Sequence, residues 1–392
     1  FIRHWRQGGG AAVTKAFVPL QFAPGEAHQF DWSEEHLVIG GVWQKLMVAH
    51  LKLCYSKTFV VQAYPAQSHE MLFDAHARAF AALGGIPRRG IYDNMKTAVD
   101  KVKKGKGRVV NARFAAMCAH YLFDPDFCNR ASGWEKGRVE KDVQDSRRRI
   151  WVEAGQRRFG SFAELNAWLG QRCRDYWSEL RHPEFDQFTV LEMLEQERLE
   201  MMPMPTPFDG YVEKSAKVSS TCLVSVDRNR YSVPCEWANH RVSTRLYPTQ
   251  VCIVAGDAVV ASHERASDRG HTCYDWQHYI ALVQRKPGAL RNGAPFKTMP
   301  APLQELQRQL LKNPGGDRVM AQVLSAVPLH GVEAVLVAVE LALQAGRVSG
   351  EHVLNTLSRL KEPCTMVAAV QTPLTLQVPP QANTSRYDGL RD

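Results

Sequence analysis

Strand-like patterns dominate the first part of the chain. From about Ala27, apolar residues alternate with polar ones or form short continuous runs, which is typical of half-buried and buried strands. Gly40-Gly41 supplies the turn of a hairpin. Between Ser68 and Leu83 the apolar residues return at helical spacing, and Gly84-Gly85 ends this predicted helix. The strand-like segments of this region lie at 30–32, 36–40, 43–53, 58–64 and 89–92.

Helices and strands alternate in the next part of the chain. A helix predicted at 112–121 precedes a strand at 122–128, and a long helix begins at about Gly133. The order is three strands, a helix, a strand, a helix, a strand and a helix, which predicts an α/β layer with a mixed sheet. A charged helix is predicted from Glu184 to Met202, and the proline-rich run from Met202 to Pro207 marks a linker.

Beyond the linker the hydrophobic period changes to two. In the segment from Arg241 to Leu246, apolar and polar residues alternate, so they occupy opposite faces of a strand. Several such short strands predict a small β-barrel, and helical patterns return from Trp276 to Arg359. The predicted regions are an N-terminal segment and linker (1–23), an α/β core (24–202), a linker (203–220), the barrel (221–275), a helical region (276–362) and a flexible tail (363–392).

Composition excludes several classes of protein. Hydrophobic residues make up 45% and charged residues 23%, the balance of an ordinary globular protein. We find no apolar run of the roughly 18 residues that a membrane span needs. The nine cysteines form no C-x-x-C pair, which argues against a zinc site and favours free thiols in a reducing cytoplasm. Because the first residue is Phe1 and not Met, we expect the sequence to be a fragment.

The charge of the chain favours a polyanionic partner. Lys and Arg number 49 against 40 Asp and Glu, a net charge of +9. The phosphate-binding motif G-x-x-x-x-G-K-[ST] does not occur, so ATP hydrolysis is not expected of this chain.

Three carboxylates carry the candidate chemistry. Asp31 lies in the first strand, Asp93 ends the strand after the first helix, and Glu140 lies in the long helix. Adjacent strands of an α/β layer can bring Asp31 and Asp93 close together, and a crossing helix can add Glu140. Crowded carboxylates repel one another unless cations separate them, and hard oxygen ligands suit Mg²⁺ or Mn²⁺. Two such ions promote in-line phosphoryl displacement.

Glu135 competes with Glu140 for the third position. Ser132-Gly-Trp-Glu135 fits a capping box, in which Ser132 caps the helix and Glu135 reaches back to the backbone. That structural role is sufficient for Glu135, so we favour Glu140 as the third ligand.

The segments around these carboxylates resemble the catalytic segments of IstA-type transposases. They are Phe30-Asp31-Trp32-Ser33, Tyr92-Asp93-Asn94-Met95-Lys96-Thr97-Ala98-Val99 and Gly133-Trp-Glu-Lys-Gly-Arg-Val-Glu140. This family belongs to the DDE transposase and retroviral integrase superfamily, whose core is RNase H-like. The resemblance extends to a β-barrel module similar to the one that follows the core in bacteriophage Mu transposase. It leaves the choice of glutamate open, because the interval from Asp93 to Glu140 is longer than the common retroviral spacing.

The resemblance implies a complete reaction. Asp31, Asp93 and Glu140 would hold two Mg²⁺ ions, with Mn²⁺ as a substitute, to nick insertion-sequence ends and transfer the 3′-OH into target DNA. It also implies an AAA+ ATPase helper of the IstB type, a homo-oligomer that pairs two element ends, and a nucleoid-associated protein of the bacterial cytoplasm. The segment from Phe1 to Arg6 would be the end of an N-terminal DNA-binding region.

Basic residues cluster at three places where DNA could lie. The first is a loop just after Asp93, the second follows Glu140 on the same helix face, and the third is the polar face of a barrel strand. The candidate DNA-binding residues are Lys101, Lys103, Lys104, Lys106 and Arg108, then Arg147, and then Arg241 and Arg245.

Two rival functions fit the same residues. An RNase H-like nuclease would cut DNA without joining strands. A DNA-binding scaffold would carry the same acidic residues without any catalytic role.

Overall fold

The computed structural model describes residues 20–93, 95, 97–102, 108–127, 149–346 and 348–361. The chain divides into two compact units, one up to Tyr274 and one from Asp275 onward.

A five-stranded mixed sheet forms the centre of the first unit. Its order is β3-β2-β1-β4-β7, in which β1 is antiparallel to β2 and parallel to β4, and β4 is parallel to β7. The mixed α/β layer predicted from the order of elements is therefore present. The sheet strands are β1 (Ala27–Ile39), β2 (Val42–Leu53), β3 (Phe59–Tyr64), β4 (Arg89–Tyr92) and β7 (Asp124–Phe127).

Strand β1 is longer than its hydrophobic pattern indicates. The strand-like segments 30–32 and 36–40 are parts of one strand, because the polar residues between them pair with β2 without a break. Only its first four residues pair with β4. Consequently, β1 continues well past β4 toward the hairpin turn.

Three helices pack against this sheet, and a fourth packs against the third of them. They are α1 (His69–Leu83), α2 (Ala112–Tyr121), α3 (Phe162–Glu179) and α4 (Val190–Arg198), and residues 149–155 are helical as well. Helix α1 ends at Gly84, whose φ of 82° is the left-handed conformation that glycine adopts most easily. Helix α3 covers the free edge of β3, where the Asn166 side chain bonds both the N–H and the C=O of Ala63.

Helix α4 is shorter than the helix that the charged segment predicts. That segment ran from Glu184 to Met202, whereas the helix occupies Val190–Arg198. Thr189 and Glu192 form a capping box that starts the helix. The preceding residues make a turn instead, in which the N–H groups of Glu184 and Phe185 bond the His182 ring.

The two ends of the basic loop predicted after Asp93 form the paired strands of a β-hairpin. Strands β5 (Val99–Val102) and β6 (Arg108–Val110) pair antiparallel, and the residues between them lie outside the described ranges.

The predicted barrel region forms two sheets that share one apolar core, and one of their strands, Val212–Lys217, lies within the segment 203–220 that the sequence predicts as a linker. One has the order β13-β12-β11-β8 and the other β14-β10-β9. No strand pairing joins the two sheets among the residues that the structure describes, so closure into a barrel stays a prediction. The strands are β8 (Val212–Lys217), β9 (Leu223–Val226), β10 (Asn229–Ser232), β11 (Arg241–Leu246), β12 (Gln250–Ala255), β13 (Ala258–Glu264) and β14 (Thr272–Cys273).

A buried ion pair fastens this two-sheet module to the core. The Arg265 guanidinium bonds Glu70 of α1 at 2.9 Å, Asp227 at 3.0 Å and the carbonyl oxygen of Tyr247 at 2.9 Å. The side chains of Arg265 and Glu70 are only 11% and 3% exposed. Beside them, Gly210 lies against Phe73 so closely that a Cβ atom would stand 2.4 Å from the Phe73 Cβ.

The second unit is helical, as predicted from Trp276 onward. Its helices are α5 (Ile280–Arg285), α6 (Ala301–Leu310), α7 (Gly316–Ser325), α8 (Val327–His330), α9 (Val332–Gln344) and α10 (Gly350–Lys361). In the described ranges of either unit, no helix combines the length and the apolar character that crossing a bilayer requires.

Candidate active site

The parallel pairing of β1 with β4 places Asp31 beside Asp93. The last paired residues of the two strands are Phe30 and Tyr92, and the residue that follows each of them in the chain is an aspartate. Neighbouring strands lie about 4.8 Å apart. Both aspartates are exposed, while Phe30 and Tyr92 are buried. Two residues 62 positions apart in sequence thus meet at the solvent-facing end of one strand pair.

Three buried polar side chains lie directly beneath this pair of carboxylates. The Tyr92 hydroxyl is 3.1 Å from His28 Nε2 on β1 and 2.9 Å from His76 Nε2 on α1. All three residues have essentially no exposed surface. We call them the His–Tyr–His cluster. It ties the end of β4 both to β1 and to the helix that covers them.

The direction of every hydrogen bond in the His–Tyr–His cluster follows from one carbonyl group. His76 Nδ1 is 2.8 Å from the Leu72 carbonyl oxygen, which can only accept, so Nδ1 carries the proton. His76 Nε2 is then an acceptor and receives the Tyr92 O–H. The Tyr92 oxygen in turn accepts the Nε2–H of His28. His28 Nδ1 is left as a bare acceptor, and it has no partner within the described residues.

Burial keeps the His–Tyr–His cluster uncharged. Desolvation lowers the pKa of His76 to about 4 and, together with the neighbouring His76, lowers the pKa of His28 well below its usual value. Burial also raises the pKa of Tyr92 well above its usual value. The bond from the Tyr92 hydroxyl to His76 therefore requires a neutral His76, because a protonated Nε2 could no longer accept it.

Strand β2 adds further polar groups next to Asp31. His50 is the residue directly opposite Asp31, and its Nε2 lies 3.0 Å from the Ser33 hydroxyl. The backbone N–H of Trp32 donates to Asp31 Oδ1 at 2.9 Å. Sequence analysis did not identify His50 or the two histidines of the His–Tyr–His cluster, because each is a single polar residue that belongs to no motif. Strand pairing and helix packing bring them to the site.

Other predicted site residues fall outside the described part of the chain. These are Glu140, its competitor Glu135, Arg147, and the hairpin residues Lys103, Lys104 and Lys106. Lys101 and Arg108 belong to β5 and β6, whose backbones alone are described there. Within the described ranges, no group of three or more His, Cys, Asp or Glu side chains is arranged to hold a metal ion.

The two arginines of β11 differ in their surroundings. Arg241 is exposed at the start of the strand, on the same face as Arg245. Arg245 lies 3.5 Å from the Glu213 carboxylate, and its guanidinium covers the Tyr211 ring at 4.7 Å. Hydrogen bonds from Ser243 and Arg245 lower the pKa of Glu213. Part of the positive charge of Arg245 is therefore neutralised within the module.

Comparison with known proteins gives consistent matches. The Mu transposase C-terminal domain matches residues 203–275, the linker and the two-sheet module. The transposase for insertion sequences IS1326/IS1353 of Pseudomonas aeruginosa is 52% identical over 100% of this chain and 78% of its own length. The transposase for insertion sequence element IS21 of the same species is 32% identical over 70% of this chain and 71% of its own length.

One solved structure is also similar. The catalytic core domain of BIV integrase covers 45% of this chain and 98% of its own length, with 14% identity and a TM-score of 0.33. A score this low carries no conclusion about the fold.

Proposed function

The chain belongs to the family of insertion-sequence transposases that includes those of IS1326/IS1353 and IS21, and we propose that it nicks the 3′ ends of its element and joins each freed 3′-OH to target DNA. The observation that carries this proposal is the meeting of Asp31 and Asp93 at the end of the β1–β4 pair. A scaffold without catalysis would have no need of two exposed carboxylates directly after the last paired residues of adjacent strands.

The donor set fits divalent magnesium. Asp31 and Asp93 offer exposed carboxylate oxygens, the hard ligands that Mg²⁺ and Mn²⁺ prefer. We assign Glu140 as the third ligand, as the family resemblance implies. When bound, a pair of these ions supplies the positive charge that activates the attacking oxygen and stabilises the leaving oxygen of an in-line displacement.

The residues of the chain itself fix the geometry of this site. The His–Tyr–His cluster anchors Tyr92, so the backbone that presents Asp93 has little freedom relative to β1. Pairing of Asp31 with His50 fixes the other strand. Small displacements of catalytic groups strongly lower the reaction rate. This rigid support therefore contributes to catalysis without contact with the substrate.

Basic residues would hold the DNA around the carboxylates. We propose backbone contacts for Lys101, Lys103, Lys104, Lys106 and Arg108 of the hairpin, for Arg147, and for Arg241 and Arg245 of β11. Such contacts position DNA without reading its sequence. Of these, Arg245 is the weakest candidate, because Glu213 already engages it.

The larger assembly also belongs to this proposal. We infer an RNase H-like core, a barrel-like module after it, and a homo-oligomer, because two element ends must be processed together while one core has one active site. An AAA+ ATPase of the IstB type would supply ATP-dependent target selection on the bacterial nucleoid, in keeping with a sequence in which the motif G-x-x-x-x-G-K-[ST] does not occur.

The experiment is a strand-joining assay with element-end DNA and a target plasmid. Asp93→Asn should lower joining by at least about 100-fold, because a ligand of the reacting centre is lost, while DNA affinity stays within about two-fold. Asp186→Asn is the matched control, since Asp186 is an exposed carboxylate elsewhere in the same unit, and it should join normally.

A pre-cut end carrying a free 3′-OH separates the rival functions. A nuclease would cut intact ends but leave the pre-cut end unjoined. Normal joining by Asp93→Asn would refute the assignment of the site, and absence of joining by the unaltered chain with all partners present would refute the function.

A further inference from the structure

A groove follows the edge of β1 beyond the two aspartates. It has a volume of about 310 Å³, at the lower end of the roughly 300–1,000 Å³ typical of ligand sites. One wall is the β1–β2 hairpin, and the other is the end of the helical segment 149–155 with the turn after it. The residues that define it are Glu35, His36, Trp43, Trp151, Arg157 and Arg158.

The hairpin wall presents an exposed aromatic surface. Trp43 is 67% exposed, and its ring stacks on that of His36 with centroids 6.0 Å apart and an interplanar angle of 20°. The outer face of the Trp43 ring remains open to solvent. An exposed aromatic ring in a concave surface offers a flat face on which a nucleic-acid base can stack.

The opposite wall offers hydrogen-bond donors and positive charge. The Trp151 indole N–H is shielded from solvent and has no acceptor within the described residues, which is costly for a buried donor. Arg157 and Arg158 are exposed, and neither is ion-paired in the described ranges. Arg157 lies over the Trp168 ring at 5.4 Å. Glu35 is the sole carboxylate among the residues lining the groove.

We propose that this groove binds an unpaired nucleotide of the DNA strand that passes the carboxylates. The base stacks on Trp43, and Arg157 and Arg158 neutralise the flanking phosphates. The inference rests on the proposed function in taking DNA as the substrate of this face. An open aromatic face combined with cations and an unsatisfied donor complements a nucleotide better than it complements an apolar protein segment.

The groove lies at a definite distance from the reacting centre. Its β1 residues are four to seven positions beyond Asp31, and a strand rises about 3.3 Å per residue, so the separation is about 13–23 Å. A DNA strand whose bases are stacked as in a duplex advances about 3.4 Å per nucleotide. The bound nucleotide therefore lies about four to seven nucleotides from the reacting phosphate.

The test uses the full chain and duplexes with a ten-nucleotide single-stranded extension. A 2-aminopurine is placed at each extension position in turn, and its fluorescence and the binding anisotropy are recorded. We expect the strongest quenching when the probe lies about four to seven nucleotides from the phosphate that is held at the carboxylates. Trp43→Ala should abolish this quenching and weaken binding of the extended DNA about 5- to 150-fold, with binding of a blunt duplex unchanged.

Two variants distinguish stacking from apolar contact. Trp43→Phe should retain quenching, because phenylalanine still stacks. Val42→Ala, at a neighbouring residue that is 62% exposed, should have no effect on DNA. Thermal unfolding verifies that all variants are folded. We expect them to be, because Trp43 and Val42 are exposed.

Two results would overturn the groove assignment. One is unchanged affinity of Trp43→Ala for extended DNA. The other is loss of self-association in both Trp43→Ala and Val42→Ala with DNA binding intact, which would make the face a protein contact. If the chain binds extended DNA through Trp43 but joins no strands, the proposed function is refuted and the groove assignment is retained.

Discussion

Because the His–Tyr–His cluster is buried, we predict that the first unit loses stability as the pH falls, at pH values above those at which most of its carboxylates become protonated. The pKa of His76 is about 4 in the folded chain, against about 6.5 in an unfolded one. As the pH falls below 6.5, the unfolded chain binds the proton first, so unfolding is favoured. The contribution of His76 to stability is complete above pH 6.5 and is lost as the pH falls toward 4.

The size of the effect follows from the two pKa values. At pH 5 the unfolded imidazole has passed its pKa by 1.5 units while the folded one is still neutral, which costs about 2 kcal/mol at about 1.4 kcal/mol per unit. His28 adds a loss of the same sign, because its pKa is also lowered by burial. Carboxylates contribute little in this window, since most titrate below pH 5.

The assay is urea unfolding at pH 7, 6 and 5, followed by tryptophan fluorescence. Eight of the nine tryptophans precede Asp275, so the signal reports mainly on the first unit. His76→Gln should reduce the loss between pH 7 and 5 by about 2 kcal/mol, whatever its effect at pH 7. The control His240→Gln, at an exposed position, should keep the full loss. An unreduced pH dependence in His76→Gln would refute the reasoning.

Two further predictions concern the junction between the core and the two-sheet module. Arg265→Met should lower the free energy of unfolding by about 3–5 kcal/mol, because it leaves Glu70 buried without its cation. Adding Glu70→Gln should recover part of that loss. No recovery in the double variant would count against the ion pair. Gly210→Ala should cost about 1–3 kcal/mol through its clash with Phe73. Gly170→Ala in α3 should be neutral or stabilising by up to about 1 kcal/mol, because the added Cβ would meet only the Arg174 side chain, at 3.8 Å; equal urea midpoints for the two variants would contradict the packing argument.

Local patterns fixed most of the elements of the first unit. Helix α2 and strand β4 occur where the apolar spacing predicts them, and Gly84 ends α1 as expected. The errors fall where polar residues have long-range partners. Ser33 to Glu35 interrupt the apolar pattern of β1, yet pairing with β2 keeps the strand continuous.

The sequence by itself also predicted the chemistry of the candidate site, because the segments around Asp31 and Asp93 resemble known catalytic motifs. It could not show that the two residues are neighbours, since a parallel register depends on the packing of elements more than sixty positions apart. The same limit applies to His28, His76 and Arg265. Each is a single polar residue whose role depends on what the folded chain buries around it, and burial is a property of the tertiary structure alone.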